Sequence, residues 1–174
     1  MSNEHGEMKS LRSTIEPLSN QMIRGKENQE QVHTFLPISI LLAEDNVINR
    51  QVVLMQLKKL GITQVDTVSN GEEASEAFLS KKYSLILMDN MMPIMDGLEA
   101  TRKIRAIEED EKWQPIPIIA MTGNVMDEEK EKCFEAGMND FIGKPFTIEA
   151  LNNVIQKLQQ PSQEPSLSRE ITKR

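Results

Sequence analysis

Four short apolar runs, each closing on a polar residue, constrain this chain more than any other feature. Ile38-Ser39-Ile40-Leu41-Leu42-Ala43 closes on Glu44-Asp45, Ser84-Leu85-Ile86-Leu87-Met88 on Asp89, Ile116-Pro117-Ile118-Ile119-Ala120-Met121 on Thr122, and Asp140-Phe141-Ile142-Gly143 on Lys144. Runs that are continuous rather than alternating suit strands buried on both faces, as in a parallel sheet with helices on either side. All strands of such a sheet end along one edge, where ligands bind. Residues spread from position 44 to position 144 are therefore expected in one pocket.

The segments between the runs read as helices. Asn46 is suited to cap a helix through Val52, Val53, Leu57 and Leu60 that stops at Gly61. Gln64 to Val68 reads as a second strand, and Asn70-Gly71 as a turn before a helix through Ala74, Ala77 and Phe78. Met92 to Gly97 reads as a loop before a helix carrying Leu98, Thr101, Ile104 and Ile107. A fourth helix runs from about Met126 to Ala136, and a fifth starts near Thr147 and includes Leu151, Val154, Ile155 and Leu158. Five uninterrupted βα units predict an α/β fold, a flavodoxin-like doubly wound five-stranded parallel sheet of order 2-1-3-4-5 with five helices. In that order strand 1 lies beside strand 3, which makes neighbours of Glu44, Asp45 and Asp89.

The folded part is expected at 37–158, between a flexible tail or linker at 1–36 and a disordered tail at 159–174. Met8, Leu11, Ile15, Leu18 and Met22 have coiled-coil spacing, but they span only two heptads and Pro17 interrupts them. The chain carries 27 acidic and 20 basic residues, and almost all the imbalance falls in 37–158, with 20 acids against 13 bases. An acidic body argues against direct nucleic-acid binding, which needs clustered Lys and Arg. Cys133 is the only cysteine, so one chain builds no disulfide or thiolate metal site. No apolar stretch is long enough to cross a bilayer and no secretory signal is visible, so a cytoplasmic protein without a membrane partner is expected.

Three carboxylates at one edge repel by about 4 kcal/mol per close pair. Either some protonate or a cation lies among them, and magnesium, which takes oxygen ligands beside phosphate, suits the second case. Asp45 and Asp89 are the expected direct ligands, the backbone carbonyl of Met91 a third, and Glu44 acts through water. At the end of the central strand, the Asp89 carboxylate can attack phosphorus in line and form an acyl phosphate. Lys144 would pair with Asp89 before transfer and with a phosphoryl oxygen afterwards, Thr122 would donate to another oxygen, and Gly123 leaves the pocket mouth open. Taken singly, these residues also read as helix caps, loop acids, a turn residue and a solvated lysine. Their joint placement at strand ends carries the argument. The run Glu108-Glu109-Asp110-Glu111 reads as a solvated helix end, which could also steer a basic partner.

Leu41-Leu42-Ala43-Glu44-Asp45-Asn46, Met88-Asp89-Asn90-Met91-Met92-Pro93-Ile94-Met95-Asp96-Gly97, Ile118-Ile119-Ala120-Met121-Thr122-Gly123 and Gly143-Lys144-Pro145-Phe146 together resemble the receiver domain of two-component response regulators, over roughly Ile38 to Leu158. Ala43 to Asn46 and Met95 to Arg102 look most like receivers of hybrid sensor histidine kinases. The resemblance implies that Asp89 accepts a phosphoryl group from a phosphohistidine on a sensor histidine kinase or histidine phosphotransfer protein, with Mg²⁺ required. It makes Glu44 and Asp45 the acidic cluster, Thr122 and Lys144 the residues that sense the phosphoryl group, and Lys144-Pro145 a cis peptide. Phe141 takes the place of the family's aromatic switch. Thr122 moving toward the phosphate would vacate space for it and shift the face of helix 4, strand 5 and helix 5 toward a downstream protein. Met91 and Asn124 hold positions that tune phosphoryl lifetime in the family. With no output domain after Leu158, the resemblance implies a stand-alone regulator or the receiver piece of a hybrid kinase.

Two other readings stay open. A metal-dependent phosphatase with Asp89 as nucleophile lacks a general acid two residues on, where Met91 stands, and lacks a cap domain. A receiver-shaped binding module that is never phosphorylated sits poorly with the complete set of Asp45, Asp89, Thr122 and Lys144. His5 and His33 match no phosphodonor motif, and no phosphate-binding glycine loop is visible, so no separate kinase site is expected.

Overall fold

The computed structural model describes residues 38–159. The expected terminal tails, the heptad-like spacing from Met8 to Met22, His5 and His33 fall outside the described residues, except that Gln159 closes the last helix. Five strands alternate with five helices: β1 (Ser39–Ala43), α1 (Val47–Lys59), β2 (Gln64–Val68), α2 (Gly71–Ser80), β3 (Leu85–Asp89), α3 (Gly97–Glu111), β4 (Ile118–Thr122), α4 (Asp127–Glu135), β5 (Asp140–Gly143) and α5 (Ile148–Gln159). The strands form one parallel sheet in the expected order β2-β1-β3-β4-β5.

The continuity of the apolar runs has a direct cause. Along β3, Ile86 and Met88 join one core with Ala74, Phe78, Ala100, Ile104 and Cys133 from α2, α3 and α4. Leu85 and Leu87 join the other with Val53, Leu57, Leu151 and Ile155 from α1 and α5. Neither face of the central strands meets water, so neither phase of the two-residue period can be polar. Each fully buried Leu or Ile contributes about 1.5–3 kcal/mol relative to an exposed one.

Helix starts follow local chemistry. The Asn46 side chain accepts from the amides of Ile48 and Asn49 at 2.9 and 3.1 Å, as its sequence position suggested. Asn70 is a cap rather than a turn residue: it accepts from Glu73 N–H at 2.9 Å while the Glu73 carboxylate accepts from Ser69 N–H at 2.8 Å, a reciprocal pair at the start of α2. Gly71 is needed for contact. A Cβ there would come within 2.7 Å of the Met95 carbonyl and 2.8 Å of Ala100 Cβ, so its absence lets α2 close on α3.

One expectation on a helix surface is corrected. Glu108 is 3% exposed, not solvated: its carboxylate takes Arg105 at 2.6 Å and the Ile116 amide at 2.6 Å, tying the end of α3 to the segment before β4. On α1, Val52 turns outward; Val53 and Leu57 are the buried pair. Val52 joins Ile48 and Met55, both more than half exposed, in an i, i+4, i+7 stripe facing away from the core.

Candidate functional site

The carboxyl ends of β1, β3, β4 and β5 bring Glu44, Asp45, Asp89, Thr122 and Lys144 to one edge of the sheet. Glu44, Asp45 and Asp89 each offer a carboxylate oxygen within 4.8 Å of the others. Lys144 Nζ lies 2.9 Å from both Asp89 Oδ2 and Glu44 Oε2. Three carboxylates against one ammonium leave a formal charge of −2 in this cluster, which one divalent cation balances.

The three acids have different surroundings. Glu44 is wholly buried, and besides Lys144 its carboxylate accepts from the Asn46 amide at 3.2 Å and Asn49 Nδ2 at 3.3 Å. Arg50 fixes the backbone there, donating to the Glu44 carbonyl and to Ser69 Oγ, both at 3.1 Å. Asp45 is exposed. Asp89 is 3% exposed, and its Oδ1 accepts from the Met91 amide at 3.1 Å. Burial pushes the Asp89 carboxyl up, and although Lys144 and the Met91 N–H oppose this, it stays above the ordinary carboxylate value. Burial also acts against the Lys144 ammonium, but the hydrogen bonds it donates to Asp89 and Glu44 prevail and raise it above the usual lysine value. Lys144 is therefore a fixed positive charge at neutral pH.

The loop after Asp89 is built to hold that backbone still. Ile94 has φ 70°, and Met95 N–H donates to the Pro93 carbonyl at 2.8 Å, a γ-turn of the rare positive-φ kind. A β-branched residue in this region is strained, a cost that functional loops tolerate. The turn brings Gly97 N–H to the Asn90 carbonyl at 3.2 Å and the Met95 carbonyl to Gly71 N–H at 2.9 Å. A Cβ on Gly97 would overlap the carbonyl of Asp89 itself. Asn90 Nδ2 donates to Cys133 Sγ at 3.1 Å, linking the residue beside Asp89 to the one buried residue of α4.

Thr122 is buried and its hydroxyl is turned onto its own loop, donating to the Asn124 carbonyl at 2.9 Å and accepting from the Asn124 amide at 3.1 Å. Phe141 is half-buried, edge-on to Phe134 at 6.2 Å between ring centroids, with Lys130 Nζ 5.1 Å from its ring centre. Lys144-Pro145 is cis. Gly123 has open space around it, and the Met91 side chain is exposed. Sequence reasoning missed Asn49, Arg50, Asn90 and Gly97 as supports of the site. Asn90 and Gly97 left a trace in the sequence, since both fall within the motif that runs from Met88 to Gly97.

Residues 40–156 match the response regulator receiver domain family. Hybrid signal transduction histidine kinase K of Dictyostelium discoideum is 42% identical over 123 residues, 68% of this chain and 10% of that protein. The chain spans between 6% and 18% of the length of three such histidine kinase relatives. Among solved structures, the receiver domain of sensor histidine kinase PA1611 from Pseudomonas aeruginosa PAO1, with magnesium coordinated in its active site cleft, is 39% identical at TM-score 0.63, covering 71% of this chain and 98% of that one. The Saccharomyces cerevisiae co-crystal structure of the histidine phosphotransfer signaling protein Ypd1 with the receiver domain of its downstream response regulator Ssk1 matches at TM-score 0.68 and 31% identity, over 71% of this chain and 90% of the matched one. With the sheet order, the acid cluster and the lysine at the same edge, this chain belongs to the response regulator receiver domain family.

Proposed function

We propose that this chain is a phosphoacceptor in a two-component phosphorelay and that Asp89 receives the phosphoryl group from a phosphohistidine on a sensor histidine kinase or histidine phosphotransfer protein. One observation carries the reading: a buried carboxylate at the end of the central strand, bridged to Glu44 by a lysine 2.9 Å from each, with Asp45 exposed beside them. An Asp89 oxygen forms a bond to phosphorus as the donor's P–N bond breaks, its electron pair leaving with the imidazole. Asp45, Asp89 and the Met91 carbonyl would hold Mg²⁺, with Glu44 acting through water; the all-oxygen donor set and the −2 charge fit that ion. The ion supplies neutralising charge for the transferring oxygens. Lys144 holds the Asp89 carboxylate in place beforehand and pairs with a phosphoryl oxygen afterwards. Thr122 exchanges its bond to Asn124 for one to the phosphoryl group, Phe141 follows it inward, and a downstream protein reads the face of α4, β5 and α5. The 37–158 segment acts as the receiver unit in the cytoplasm, without a kinase site of its own.

Incubation with acetyl phosphate and Mg²⁺ is expected to load one phosphoryl group per chain, and EDTA to prevent it. Continuous turnover of acetyl phosphate would instead indicate a phosphatase, and no adduct a receiver-shaped module that is never phosphorylated.

Docking of the donor is expected on the apolar stripe of Ile48, Val52 and Met55 beside the pocket, because exposed apolar residues grouped on one face mark interaction surfaces. Ile48→Asp should slow transfer from a phosphohistidine protein by roughly tenfold, about 1.4 kcal/mol of barrier, and leave loading from acetyl phosphate unchanged. Equal slowing of both would place the effect in the pocket rather than in docking.

Met91 is 81% exposed and offers an attacking water only a weakly accepting thioether from its side chain. Met91→Asn is expected to speed loss of the phosphoryl group by about tenfold, followed as decay of the adduct after the donor is removed. An unchanged or slower rate overturns this role.

A further inference from the structure

A cavity of about 650 Å³ opens at the amino-terminal edge of the sheet, between the ends of α2 and α3. It lies beyond the strand that carries Asp89, and β3 alone spans about 13 Å from Leu85 to Asp89. Phe78 and Ile116, each 7% exposed, form an apolar floor. Trp113 stands edge-on to Phe78, centroids 5.6 Å apart, and remains 42% exposed. Its amide donates to the Glu108 carbonyl at 2.9 Å, which fixes its backbone to the end of α3.

The rim is basic. Among the described residues Lys81, Lys82 and Lys112 line the cavity and no carboxylate does, in a segment, 37–158, where acids outnumber bases 20 to 13. Lys81 is occupied by Asp66 at 2.7 Å, whereas Lys82 and Lys112 have no ion pair among the described residues. Lys112 closes α3 with φ 56°, a conformation that glycine adopts at lower cost. A lysine at such a position exchanges backbone comfort for a charge beside Trp113.

We propose that this cavity docks an acidic segment of a partner protein, with an aromatic side chain seated against Trp113 and Phe78 and flanking carboxylates on Lys82 and Lys112. The volume falls within the usual range for ligand sites, and an exposed, rigidly held tryptophan beside unpaired cations is the composition of an interface anchor. Charge complementarity selects the occupant. A second copy would bring a whole acidic body against this one, and nucleic acid a continuous line of phosphates, whereas a short acidic segment meets only the basic rim. Because the cavity and Asp89 lie at opposite edges of the sheet, the segment binds whether or not Asp89 is phosphorylated.

Trp113 is the only tryptophan, so its emission reports on this site alone. Titrating the full chain with a capped pentapeptide, one phenylalanine flanked on each side by two acidic residues, should shift that emission saturably and equally with and without beryllofluoride and Mg²⁺. Lys82→Ala and Lys112→Gly should each weaken binding roughly two- to fivefold, and together about tenfold. Lys112→Gly should also raise Tm, which separates lost affinity from lost folding. Four outcomes overturn the proposal: no emission change at millimolar peptide, equal binding of a peptide with lysines replacing its acids, equal binding of a lone aromatic carboxylate, or emission that varies with protein concentration alone, which would identify a second copy as occupant.

Discussion

Asp89→Asn is expected to abolish phosphoryl loading from every donor while leaving the fold, in EDTA at neutral pH, at least as stable as before. The amide keeps the shape of the carboxylate but is not a nucleophile, so the adduct falls to zero rather than by a factor. The stability half follows from burial. Asp89 is 3% exposed and its carboxyl is pushed above the ordinary value, chiefly by desolvation, so the ionised form burdens the folded state. A neutral side chain lifts that burden, and Lys144 keeps Glu44 as a partner at 2.9 Å. The sign of the pH dependence is fixed: with a raised native pKa, the unaltered chain gains stability as pH falls through that raised value toward the ordinary 3.8. Asparagine has no such gain, so the Tm difference should shrink on acidification. Magnesium should reverse the order at neutral pH, since an ion that needs Asp89 stabilises only the chain that has it. Thermal melts of both proteins across pH, with Mg²⁺ and with EDTA, test all three statements. A variant much less stable in EDTA would mean that the Lys144 ion pair outweighs the desolvation of Asp89.

What was legible in the sequence divides along a physical line. Strand runs, caps and the shared edge could be read because each depends on local pattern or on a property of every parallel sheet. Leu85 to Met88 must be apolar throughout once helices cover both faces, and Asn46 caps with its own side chain whatever surrounds it. Features set by distant partners could not be read. Glu108 sits in an acidic run that any composition rule assigns to solvent, yet it is buried because Ile116 N–H and Arg105 arrive from elsewhere. Val52 is as apolar as Val53 and differs only in the side of α1 it occupies. Gly71 followed an asparagine and so resembled a turn, while its actual constraint is the nearness of Met95 and Ala100. In the site, the pairing of Lys144 with Asp89 was expected from their shared edge and is found, but nothing local to Lys144 shows that it also reaches Glu44, or that Thr122 faces Asn124.

Gly97→Ala is expected to have the largest effect on stability of any single methyl group added near the site. The new Cβ would lie on the carbonyl of Asp89, and Met88 Cγ would be 3.0 Å away. A flexible side chain could move aside, but here the obstacle is backbone within the sheet: Asp89 pairs with Met121 of β4, and the neighbouring Asn90 amide donates to the Met121 carbonyl at 3.2 Å. Relief requires α3 to withdraw, which breaks the Gly97 N–H bond to Asn90 and loosens Ala100 and Ile104 from the core. Overpacking of this kind costs about 1–3 kcal/mol, and here a buried hydrogen bond of about 1 kcal/mol goes with it, so a loss of about 3 kcal/mol is expected in urea denaturation. Gly123→Ala is the matched control. It adds the same methyl group at the same pocket into open space and should change stability by less than about 0.5 kcal/mol. Phosphoryl loading separates the cases further: displacing Asp89 by a fraction of an ångström degrades in-line attack, so the part of Gly97→Ala that still folds should load slowly, whereas Gly123→Ala should load normally. Equal stability of the two variants would show that the approach of α3 to Asp89 is not the constraint that requires glycine at position 97.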